Sequence, residues 1–157
     1  MNKRTLKYCL AGGLLLGVLC LLLFGLSFTA RSLKAAAHIR SLRFESLGFG
    51  QVLFEYQLDL DTGLAEYNSY EYDGTLRTHK EGRLSDAQQK QLQRACGLAL
   101  VPLWKDQYVD PRICDGDQWR MVIGYEDEEK GIFGSNAYPP FYWWLRRRIS
   151  EIPTWEQ

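Results

Sequence analysis

From Tyr8 to Ala30 no residue is charged, whereas beyond Arg31 apolar and polar residues interleave to the end of the chain. A run of about 23 residues reaches roughly 34 Å as a helix, enough to cross a bilayer. Its leucines (Leu14-Leu15-Leu16, Leu19, Leu21-Leu22-Leu23) and its glycines suit a lipid-exposed helix, which satisfies its own backbone hydrogen bonds. The rival reading is a cleaved secretory signal, whose apolar region normally runs about 7 to 15 residues and ends in small residues. Gly25-Leu26-Ser27 offers a cleavage site, but Phe28-Thr29-Ala30 puts a ring where a small side chain is wanted. An uncleaved signal-anchor is therefore expected. A lipoprotein reading is weaker still, because Leu19 precedes Cys20. Lys3, Arg4 and Lys7 on one flank nearly balance Arg31, Lys34, Arg40 and Arg43 on the other, so both orientations stay open. A short basic tail is the harder flank to translocate, which favours a cytoplasmic N-terminus and an extracytoplasmic domain.

Past the anchor, Lys34-Ala35-Ala36-Ala37 are strong helix formers, and the helix is expected to continue into a stalk. Val52, Phe54, Tyr56, Leu58 and Leu60 then alternate with mostly polar residues, the period-two pattern of a half-buried strand. Leu42 to Leu47 is expected to precede it as another strand. Asp61-Thr62-Gly63 reads as a turn, 64–72 as a Tyr-rich strand, Asp73-Gly74 as a hairpin and 75–82 as its return. Ser85 and Gln88 form a capping box that opens a helix to about Cys96, with Gly97 as a left-handed stop. Leu100 to Tyr108 is expected to bring Trp104 and Tyr108 to the core. Trp119, Met121, Ile123 and Tyr125 alternate as a further strand, and the acidic turn Glu126-Asp127-Glu128-Glu129 leads to its partner at Ile132-Phe133. Phe141, Leu145, Ile149 and Ile152 have helical spacing between Pro139-Pro140 and Pro153.

This order predicts an α+β protein: an N-terminal transmembrane helix, then a mostly antiparallel sheet of five or six strands with two helices on one face. The domains expected are an anchor over 1–30, a juxtamembrane stalk over 31–41 and one α+β domain over 42–157. The part beyond the anchor, roughly 130 residues, matches one ordinary domain. Tyr67, Ser69, Glu71, Arg77 and His79 are expected to line a polar, uncovered sheet face. Lys and Arg total 19 against 19 Asp and Glu, with the juxtamembrane third basic and the rest acidic. That balance offers no footprint for nucleic acid. Of the four cysteines, Cys9 and Cys20 fall in the anchor, which leaves Cys96 and Cys114 as a disulfide or as two separate buried thiols.

Asp115-Gly116-Asp117-Gln118-Trp119 and Gly134-Ser135-Asn136-Ala137-Tyr138-Pro139 supply two short motifs, D-G-x-x-W and G-x-N-x-Y-P. With them, the chain from Leu53 to Ile152 resembles a family of small bacterial membrane-anchored or secreted domains with no established activity. The resemblance implies a fold and an envelope setting, and it carries over no functional residue. From the residues themselves, Asp-Gly makes a turn, Trp119 fills core, Asn136 bonds nearby backbone and Tyr138-Pro139 positions the last helix. The functional alternative makes 134–140 a loop beside a pocket, with Asn136, Tyr138 and Asp115 as ligand contacts.

Asp110, Asp115 and Asp117 lack the spacing of a calcium loop, and His38, His79, Cys96 and Cys114 lack that of a zinc site, so no metal or cofactor is expected. An enzyme would need Cys96 or Cys114 against His79 or a carboxylate, without a nucleophile elbow or a phosphate-binding loop. Trp143 and Trp144 beside Arg146-Arg147-Arg148 suit either a lipid headgroup boundary or a helix with one aromatic in the core and a solvated basic face. Three functions follow. The first is a tethered, non-catalytic envelope domain that binds a protein or other ligand. The second is an inhibitor or immunity-type protein that presents its acidic hairpin to a basic site. The third, asking most of the sequence, is an envelope enzyme. The expected partners are the membrane, through the N-terminal helix, and an envelope protein.

Overall fold

The computed structural model describes residues 3–113 and 116–155. The chain divides into two compact units, Met1–Arg31 and Ser32–Gln157. The first element is the helix α1 (Lys3–Ala36). Its stretch Gly17–Ala36 has mean hydropathy 1.5 and is long and apolar enough to cross a membrane, as an anchor or as a signal sequence. Leu21, Phe24 and Leu26 are each more than half exposed. Ser27 and Thr29 return their hydroxyls to the carbonyls of Phe24 and Gly25, so neither needs an outside partner.

The second unit contains β1 (Ser41–Gly48), β2 (Gln51–Asp59), β3 (Leu64–Tyr70), β4 (Leu76–Arg83), α2 (Asp86–Leu98), β5 (Gln107–Val109), β6 (Gln118–Gly124), β7 (Glu129–Ser135), α3 (Tyr142–Glu151) and β8 (Thr154–Trp155). They form an eight-stranded sheet in the order β5-β7-β6-β1-β2-β3-β4-β8, antiparallel except where β5 runs beside β7. Two more strands form than the alternation predicts, because β5 and β8 are only three and two residues long. So short a segment shows no periodicity, and its pairing is decided by the strand edge beside it.

Register fixes which residues share a face. Leu58 stands opposite Leu42 and Ala65, Phe44 opposite Tyr56 and Met121, and Trp119 opposite Ser46 and Gly134. This face, with Ile123 and Ile132, is covered by Leu92, Ala95 and Cys96 of α2 and by Tyr142, Leu145 and Ile149 of α3. The fold is thus α+β, with both helices on one face of the sheet. Its core is strongly aromatic: Trp119 lies 4.6 Å from Tyr142 and 6.4 Å from Trp104, centroid to centroid.

Four local expectations are corrected. Ser32, Ala36 and Ile39 are wholly buried, so the segment read as a stalk is the first element of the domain. Gly97 does not stop α2; it lies buried inside it, where a Cβ would stand 2.8 Å from the Leu33 backbone, and the left-handed residue is Leu100 at φ 61°. Phe141 is likewise left-handed (φ 63°) and exposed, so the buried stripe of α3 starts at Tyr142 instead. Tyr67 and Ser69 belong to the covered face, because Tyr67 pairs with Tyr56 and packs against Trp155. Of the residues expected to share the uncovered face with them, His79 does lie there, one register position away, opposite Asn68.

Candidate binding face

Neither α2 nor α3 packs on the other face of the sheet. Across its middle, one rung runs Arg120–Glu45–Glu55–Asn68–His79 over five adjacent strands, β6, β1, β2, β3 and β4. Hydrogen bonds fix half of this row. Glu55 Oε1 accepts from the Tyr70 hydroxyl at 2.7 Å and from Asn68 Nδ2 at 3.1 Å. Asn68 Oδ1 faces His79 Nδ1 at 2.6 Å, and His79 Nε2 faces Glu81 Oε1 at 3.2 Å. Both imidazole nitrogens therefore look at side-chain oxygens. The hydrogen bond to Glu55 does most to push the Tyr70 phenol up to about 12, with burial and the charges of Glu55 and Glu45 adding to it.

Glu45 is the unusual member. It is 5% exposed although it sits on the uncovered face, and it stands directly opposite Glu55, a like-charge pair that costs stability. Arg120 approaches its Oε2 at 3.3 Å and Arg43 its Oε1 at 4.0 Å, yet Oε2 is buried and receives no hydrogen bond among the described residues. Both arginines are about half exposed, so the ion pairs are solvent-screened and add little stability. Asp59, Glu66, Glu81 and Glu129 lie on the same face, with Arg83 and, by alternation with His79, Arg77 as further bases, so six carboxylates stand against four arginines and the face is net negative.

The two sequence motifs meet elsewhere, and nearly every position has a structural reason. Asp117 N–H donates to Asn136 Oδ1 at 3.0 Å, and Asn136 N–H donates to the Asp117 carbonyl at 2.9 Å. The Tyr138 hydroxyl donates to Asp117 Oδ2 at 2.9 Å, and the Trp119 indole donates to the Ala137 carbonyl at 3.1 Å. A Cβ on Gly134 would overlap the Trp119 indole, and one on Gly116 would overlap the Asn136 amide. Burial and the neighbouring Asp117 push the Tyr138 phenol up to about 12. A hollow of about 390 Å³ beside Asp117 is lined by Phe49, Leu53 and Tyr72, not by Asn136 or Tyr138. The polar atoms of these two residues thus work inside the fold, tying the loop before β6 to the loop after β7.

Cys114 and Asp115 lie outside the described residues, and with them the Cys96–Cys114 bridge and the ligand role of Asp115. Cys96 is wholly buried under α2, and burial pushes its thiol up to about 12. It is therefore on the covered side of the sheet, while His79 is on the other, and the two do not form a dyad. The hairpin tip Glu126–Glu129 is exposed as expected and borders a groove of about 1040 Å³ with His38, Asp106 and Tyr125. The final helix engages its arginines within the domain: Arg146 lies over the Trp143, Phe54 and Phe44 rings, Arg148 over Trp144, and Arg147 pairs with Glu151 at 2.7 Å. Comparison with protein-family models gives no match, and comparison with curated proteins gives none either.

Sequence reasoning missed Glu45, Glu55, Asn68 and Arg120. Glu55 sits between Phe54 and Tyr56, which marks the outward side of a strand, whereas Glu45 sits between Phe44 and Ser46, and nothing local says that the two stand opposite one another.

Proposed function

We propose that this protein is a membrane-tethered, non-catalytic domain that binds a protein partner at the cell envelope through its uncovered sheet face. The observation that carries the reading is the Arg120–Glu45–Glu55–Asn68–His79 row. Its side chains are held in place by one another, and among the described residues it keeps a buried carboxylate oxygen without a hydrogen bond on the face opposite α2 and α3. A merely solvated face has no need to bury a glutamate opposite another glutamate. The N-terminal helix supports the tether, which raises the local concentration of the domain near other membrane components. The basic tail before the helix supports an extracytoplasmic domain, the setting that the two short motifs also suggest by resemblance. The separation of Cys96 from His79 removes the one nucleophile–base pair that could be argued among the described residues.

Two measurements test this. Cys96 is too buried to report topology, so Lys90→Cys on the exposed side of α2 is labelled with a membrane-impermeant maleimide in intact cells. Labelling is expected without permeabilisation, and labelling only after it reverses the topology. A photo-crosslinking residue at Gln57, on the uncovered face, is expected to capture a partner that the same residue at exposed Arg94 of α2 does not. Equal capture from both positions removes the face from consideration.

A further inference from the structure

Resting on that reading, the charge distribution narrows the partner's chemistry. We propose that the uncovered face binds an extended cationic segment of the partner, laid along β2 across the polar row, with arginine or lysine side chains spaced to reach the hollows on either side of it. Three observations point there. The face is net negative, and Glu45 and Glu55 stand opposite one another at its centre. Glu45 Oε2 is buried and is met at 3.3 Å by Arg120 as an ion pair, without a hydrogen bond among the described residues. Hollows flank the row on this same face, one of about 270 Å³ whose wall sets three carboxylates, Asp59, Glu66 and Glu129, against the single base Arg43, and one of about 440 Å³ with Glu55 and Tyr70.

Asp59 and Glu55 are four residues apart on β2, about 13 Å at the rise of a strand. Side chains at i and i+4 of an extended peptide have the same spacing and point the same way, so one base falls in each hollow. Arginine fits best, because its planar fork meets a carboxylate with two hydrogen bonds. Glu55 has one oxygen engaged by Tyr70 and Asn68, which orients the carboxylate and leaves Oε2 for the ligand.

The test uses the full chain in nanodiscs of zwitterionic phosphatidylcholine, so that the lipid adds no net charge. The probe is a short fluorescein-labelled Ser/Val peptide with two arginines four residues apart, compared with its citrulline and glutamate counterparts by fluorescence anisotropy. The arginine peptide is expected to bind at least about tenfold more tightly than the citrulline one, a difference of about 1.4 kcal/mol. Glu55→Gln with Glu66→Gln is expected to lose about that tenfold, while Glu126→Gln with Glu128→Gln at the hairpin tip changes affinity by less than about twofold. Thermal melts first establish that both double variants fold. Binding weakened equally by the two pairs overturns the proposal, since it is then attraction to any acidic surface; so does arginine binding no tighter than citrulline. If the peptide fails to bind while Gln57 still captures a partner, the cationic chemistry falls and the binding face stands. If both fail, both fall. Self-association of the chain through this face, lost in Glu55→Gln, also overturns the proposal in favour of a second copy as the occupant.

Discussion

The two faces of one sheet are built from alternate residues of the same strands, yet they follow different physics. On β1, Leu42 and Phe44 point under the helices while Arg43 and Glu45 point the other way. The covered face is held by packed rings: Tyr56 and Tyr67 at 4.9 Å, Tyr138 and Tyr142 at 4.8 Å, Trp119 and Tyr142 at 4.6 Å. Such an interior is dense and intolerant of lost volume. The uncovered face is held by hydrogen bonds and screened ion pairs, each worth little net stability. Stability is therefore concentrated on one side, which leaves the other free to keep a like-charge pair and a carboxylate oxygen without a hydrogen bond.

Substitutions should separate the faces, and the largest effect is expected at the covered one. Trp119→Ala removes a wholly buried ring at the junction of α3, β6 and the loop after β7, and should cost about 3–5 kcal/mol in denaturant unfolding. A loss below about 1 kcal/mol would show that the indole does not hold this junction together.

Alkaline pH probes both faces of the sheet and the motif lock without mutation. Tyr70 and Tyr138 are pushed up to about 12 and Tyr142 is raised as well, all from 10.0, mainly through burial and hydrogen bonds to carboxylates. Their folded-state values exceed the unfolded one, so this stabilisation is fully present below pH 10 and is lost as pH rises toward 12. Melting temperature should decline over that window. Tyrosinate absorbance should show that part of the nine tyrosines titrates late in the folded chain but not in denaturant.

Tyr138→Phe deletes the hydroxyl bonded to Asp117 while keeping the ring, and should cost about 1–2 kcal/mol by urea unfolding. An unchanged stability together with a lost partner would move Tyr138 back to a ligand contact. The smallest effect is expected at the centre of the uncovered face. Glu55→Gln relieves repulsion from Glu45 and weakens the bonds from Tyr70 and Asn68, so its stability should stay within about 0.5 kcal/mol while binding changes. A loss as large as that at Trp119 would make the row structural.

Much of the fold was legible. The capping box at Ser85 and Gln88 forms, with the Ser85 N–H donating to Gln88 Oε1 at 2.8 Å, and the Asp73-Gly74 turn and the 119–125 strand stand where their patterns put them. These signals are local: the hydrogen bond or the alternation lies within a few residues. The candidate loop was legible as a structural motif, although its glycines could not be matched to their partners in advance. The uncovered face was only half legible, because an antiparallel register one residue off moves Tyr67 from the wrong face to the right one and replaces it by Asn68.

The sequence by itself determined the apolar helix, the α+β order and most element positions, because hydrophobic periodicity and capping chemistry act over short distances along the chain. Only the tertiary structure decided that Gly97 is a contact point against Leu33, that Trp119 lies on Gly134, and that Glu45 and Glu55 face each other between Arg120 and Asn68. Each of these depends on strands or helices distant in sequence coming into one register, and that register is set by the collective burial of the covered face rather than by the residues that end up opposite one another.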